Sequence, residues 1–72
     1  MKVNIIARLI EINADDLRYY QTLKPSFMEA YYMDSIERNI RILRNLSQMA
    51  KQNGQEDLAA RADDAMAAFA GN

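Results

Sequence analysis

Two pairs of adjacent carboxylates, Asp15-Asp16 and Asp63-Asp64, are the residues of this chain whose types first raise the question of chemistry. Paired acids serve general acid–base catalysis or hold magnesium. Successive residues on a helix point about 100° apart, so neither pair makes a shared site alone, and nothing at helical spacing completes either cluster. Solvated surface is the expectation for both. Asp16, at the edge of an apolar arc, is expected to cap a helix or form half of an ion pair.

The other routes to catalysis are closed by composition. Ser26, Ser35 and Ser47 have no histidine to activate them, and no Ser-x-x-Lys spacing substitutes a lysine base. Cysteine and histidine are both absent, which removes the thiolate and imidazole metal ligands and the commonest general base. There is no glycine-rich phosphate loop. The chain is therefore expected to be no enzyme and to need neither metal nor cofactor.

Binding is what the remaining residues offer. Arg38, Arg41, Arg44 and Lys51 share a broad side of one helical segment, and such a ridge is suited to phosphates. Asp34 and Glu37 stand four residues before Arg38 and Arg41, the favourable order for helical ion pairs. The net charge of -1 and a pI of about 5.2 give no global pull toward nucleic acid. Nucleic-acid binding is thus the alternative, and protein binding the main expectation. Tyr19 and Tyr20 close one segment and Phe27, Tyr31 and Tyr32 open the next, with Met28 and Met33 beside them. Tyrosine is enriched at interface hot spots and methionine suits adaptable contacts. These seven residues form the expected partner-binding patch, Tyr19, Tyr31 and Tyr32 leading. Two adjacent tyrosines on a helix cannot both face one neighbour, so at least one of each pair is expected to be partly exposed.

These residues must be positioned by helices. Pro25 is the only proline and Gly54 the only internal glycine, and every segment between breakers has a helical period. The spacing predicts helices at about 3–23, 26–53 and 55–70. In the first, Ile6, Ile10, Leu17 and Tyr20 make one stripe, with Val3 and Leu9 at its edges. Ile5, Ile12, Tyr19 and Leu23 make a second stripe beside it, an arc wide enough for two neighbours. A continuous helix is favoured over a break at Asn13. In the second segment, Ser26 and Glu29 fit a capping box, Gly54 is placed for a left-handed C-cap, and the buried stripe reads Met28, Tyr32, Ile36, Leu43, Leu46 and Ala50. In the third, Leu58, Ala62, Ala65, Met66 and Phe69 share a face. Residues 46–69 have the look of an α-solenoid hairpin, without the full landmark set of a tetratricopeptide repeat.

The fold class predicted is all-α, a small three-helix bundle on a long antiparallel hairpin, in one domain spanning residues 1–72. A chain of 72 residues is marginal without disulfides, metal or self-association, and self-association is the route left. A homodimer is expected, with Ile6, Ile10, Asn39, Leu43 and Leu46 in its core. Asn39, on the apolar stripe, would fix register against its mate, bond a backbone carbonyl of its own chain, or sit at a groove open to water. No apolar run is long enough to cross a bilayer and no secretory leader is recognisable. The expected setting is cytoplasmic, and the function that of a regulator, adaptor or inhibitor of a larger protein, in the style of bacterial or phage accessory proteins.

Overall fold

The computed structural model describes residues 4–71, so the expected contribution of Val3 lies outside the described residues. Four helices follow one another: α1, Ile5–Gln21; α2, Pro25–Tyr31; α3, Met33–Gln52; and α4, Glu56–Ala70. The chain is all-helical, with α1, α3 and α4 each packed against the other two.

Helix α1 begins because Asn4 is an N-cap: its backbone is extended and its Oδ1 accepts from the Ala7 amide at 3.1 Å, satisfying an otherwise orphaned donor. It continues unbroken through Asn13, whose Nδ2 donates to the Leu9 carbonyl at 2.8 Å. That bond lets a buried asparagine sit mid-helix without a break. The Thr22 hydroxyl donates to the Tyr19 carbonyl at the other end.

The expected second helix is two helices. Tyr32 adopts φ -125° and ψ 2°, outside the helical basin, and separates the short α2 from α3. The three-helix expectation becomes four for this reason. No proline or glycine marks the break. Its physical accompaniment is tertiary: the Tyr32 ring turns inward against Tyr20, centroids 5.1 Å apart. The expected capping box is also absent. Pro25 occupies the first turn and Lys24 the cap, because a fixed φ near -65° pre-organises a helix start. Ser26 then falls inside the helix and caps nothing.

Helix α3 ends on Gly54, at φ +71°. The Gln55 amide donates to the Ala50 carbonyl at 2.8 Å and the Gly54 amide to Lys51 at 3.1 Å, the two bonds of a Schellman motif. This reverses the chain and lays α4 against α3. Ala50, Ala59 and Ala62 are buried at the contact, and alanine lets two backbones approach closely. The Ser47 hydroxyl donates to Asp63 Oδ1 at 2.7 Å, and Lys51 Nζ lies 3.6 Å from Asp63 Oδ2. Against this pair packs the inward stripe of α1, with Ile10 and Leu17 buried among Ile36, Leu43 and Leu46.

A Cβ at Gly54 would meet nothing within 4 Å, so substitution there strains only the backbone. Gly54→Ala is expected to destabilise the fold by about 1 kcal/mol, a fall of roughly 4–8 °C in melting temperature for a domain this size. Thermal denaturation followed by circular dichroism checks it, and an unchanged transition would contradict the role given to the left-handed turn.

Candidate functional site

The turn between α1 and α2 brings five aromatic rings to one end. Tyr19 contacts Tyr20 edge-on at 5.7 Å, Tyr20 meets Tyr32 at 5.1 Å, Tyr32 stacks on Phe27 at 6.1 Å, and Phe27 meets Tyr31 at 4.8 Å. The rings form one continuous series, each held by a neighbour in a favourable aromatic geometry. Its middle faces inward: Tyr20, Met28 and Tyr32 are half-buried against the core cluster. Its ends face solvent, with Tyr31 72% exposed and Tyr19, Phe27 and Met33 also exposed. Each adjacent tyrosine pair divides into one inward and one outward ring. Tyr32 is an inward ring, so as a leading contact it gives way to Phe27. The signal for that exchange is present in the sequence, since Tyr32 stands four residues from both Met28 and Ile36 on the buried stripe.

The arginine ridge is only partly assembled. Lys51 is engaged by Asp63 across the α3–α4 contact. Among the described residues, Arg38, Arg41 and Arg44 have no carboxylate within 4 Å, including the Asp34 and Glu37 expected to pair with them. Asp63 is a structural tie rather than free surface, and Asp15 pairs with Arg18 on the exposed side of α1. Among the described residues no group of three acidic side chains is gathered as a metal-ligand set.

The residues expected in a dimer core lie elsewhere than at a surface. Ile10, Asn39, Leu43 and Leu46 are buried within one chain, and Ile6 is half-buried against the same cluster. In this fold they have little surface to offer a second copy, because α1 and α4 already cover them. The apolar surface that is left is the second stripe of α1. Ile5 is 69% exposed, and Leu9, Ile12 and Tyr19 are exposed along the same side. Helix α1 does meet two neighbours, but α4 sits on its alanine side. Ala7 and Ala14 of α1 face Ala65 and Ala68 of α4 across a groove of about 440 Å³. Spacing alone missed this groove; the signal for it is the seven-residue repeat of Ala7 and Ala14.

Among the described residues, no carbonyl accepts from the Asn39 side chain. Asn39 is 5% exposed and its Nδ2 has no hydrogen-bond partner among the described residues. A buried donor without a partner costs on the order of 1–3 kcal/mol.

No helix among the described residues is long and apolar enough to cross a membrane. No protein-family model, curated protein or solved structure matches the chain.

Replacing Asn39 with an apolar residue of similar volume removes the unpaired donor. Asn39→Leu is expected to raise stability by about 1 kcal/mol, read as a higher denaturant midpoint at unchanged slope. A lower midpoint would mean that the amide has a partner in solution.

Proposed function

We propose that this chain is a non-catalytic protein-interaction module that engages its partner through the aromatic end and acts as a homodimer. The observation that carries the proposal is the exposure of Tyr31, Phe27 and Tyr19 on a base of half-buried rings. A hot-spot side chain must be large, accessible and already rigid, since immobilising it on binding then costs little. Tyr20 and Tyr32 supply the rigidity. A fitting partner presents an apolar recess for the rings and polar groups at its rim for the tyrosine hydroxyls. Regulator, adaptor and inhibitor are all roles such a module can fill.

Affinity capture from the native host with wild-type and variant baits supplies the test. Tyr31→Ala and Phe27→Ala are each expected to lose about 2 kcal/mol of partner affinity, close to thirtyfold. Their melting temperatures should stay near wild type, as is usual for exposed positions. Tyr32→Ala should instead lower stability by about 2–3 kcal/mol, because it removes a ring packed on the core. If the exposed-ring variants lower the melting temperature and leave partner affinity unchanged, the cluster is structural and the proposal fails.

The second reading, nucleic-acid binding, is favoured by one observation, the freedom of Arg38, Arg41 and Arg44 from carboxylates within 4 Å. Against it stand the acids interspersed on the same helix and the net charge of -1. The protein is expected to pass through heparin at about 0.15 M salt, where interactions beyond a Debye length of ~8 Å are screened. Retention that is lost in Arg41→Ala/Arg44→Ala would reverse the order of the two readings.

A further inference from the structure

The exposed stripe of α1 has a symmetry that its composition alone hides. Ile5, Leu9, Ile12, Asp16 and Tyr19 follow one another at intervals of four, three, four and three residues, the spacing of a helix–helix seam. Ile12 is its centre. Ile5 stands seven residues before Ile12 and Tyr19 seven after; Arg8 stands four before and Asp16 four after. Reversing the helix about Ile12 therefore exchanges an apolar residue for an aromatic one and a cation for an anion.

The charges at these positions are available. Asp16 has no ion pair within 4 Å among the described residues, and Arg8 has only the exposed contact to Glu11 at 3.5 Å. The stripe is also unobstructed, since α1 packs Ile10 and Leu17 into the core and turns Ala7 and Ala14 to the groove it shares with α4. Helix α3 adds Ile42, half-buried, and Met49, exposed, on its side turned away from Ser47 and Lys51, the residues that reach α4.

We propose that a second copy of this chain docks antiparallel along the α1 stripe, with the twofold axis at Ile12, so that Arg8 of each copy faces Asp16 of the other. An isologous contact requires a patch that is its own complement, and the arrangement of charge about Ile12 meets that requirement. Parallel pairing would set Asp16 against Asp16 and Arg8 against Arg8. A helix of an unrelated partner would need no such symmetry. This placement rests on the dimeric reading above and replaces Ile6, Ile10, Asn39, Leu43 and Leu46 as the dimer contact.

The test is sedimentation equilibrium of the full chain, at concentrations from micromolar to millimolar, with helicity checked for every variant. Wild type should reach twice 8.3 kDa. Ile12→Glu, which sets like charges on the axis, should remain monomeric. Arg8→Glu and Asp16→Arg should each weaken the dimer about tenfold, because each change acts twice across the twofold. The double variant Arg8→Glu/Asp16→Arg should return to within about threefold of wild type, since the pairing is restored with its signs exchanged. A wild-type mass of 8.3 kDa throughout would overturn both the dimer and its placement. A wild-type dimer that ignores all three substitutions, or a double variant weaker than either single one, would overturn the placement alone. Tyr31→Ala should leave the mass unchanged, because Tyr31 lies outside the α1 stripe, whereas Tyr19 belongs to both surfaces.

Discussion

The alanine contact between α3 and α4 is the constraint on which the rest of the structure depends. Ala50, Ala59 and Ala62 are buried where the two helices meet, and the Schellman turn at Gly54 sets the reversal that brings them together. Thin side chains draw the backbones close, and Asp63 then reaches both Ser47 and Lys51. The position of α4 decides which side of α1 it can cover. It covers the alanine side, through Ala65 and Ala68. The isoleucine stripe on the opposite side remains open as a direct consequence.

The same logic explains why the rings of the aromatic end pack on one another while three of them stay exposed. The short connection from Gln21 to Pro25 returns the chain at once, so the rings that end α1 and those that begin α2 must share a small volume. The turn of Tyr32 out of helical geometry places its ring on Tyr20 and Phe27. Two rings then face the core and three face solvent. A continuous helix from Ser26 to Asn53 would have kept Tyr31 and Tyr32 about 100° apart on one cylinder. The break gives each its own direction.

Much of this was legible in the sequence, and its gaps follow one rule. Periodicity identified Ile10, Leu17, Ile36, Leu43 and Ala62 as inward-facing, and Gly54 identified its turn, because both signals are local. The break at Tyr32 was not legible, since its accompaniment is a ring contact to a residue in another helix. Ser26 was assigned the cap that Pro25 displaces, two local preferences in competition one residue apart. That Ile10, Asn39, Leu43 and Leu46 are buried within the chain, and not at a surface for a second copy, has a deeper reason. A stripe states that a face is apolar but not what covers it, and α1 and α4 cover the stripe of α3 before any second copy can. Asn39 was rightly singled out as polar among apolar neighbours, yet the fate of its Nδ2 depends on atoms that spacing does not locate.

Asn39 and Asp16 are two different interruptions of apolar pattern in this chain. Each interrupts an apolar stripe, the first inside the chain and the second on its surface. An uninterrupted stripe of isoleucine and leucine admits several registers of nearly equal energy, since dispersion and apolar burial are not directional. A polar residue among them disfavours every register that leaves it without a partner. Asn39 does not select the observed register in this way, since its Nδ2 has no partner there among the described residues. Asp16 does act in this way on the open face, because any apolar surface laid along Ile5, Leu9 and Ile12 must also answer a carboxylate four residues farther on. Stability is then concentrated in the α3–α4 contact and the inward stripe of α1, and selectivity at Asp16, where the apolar pattern of the open face is broken.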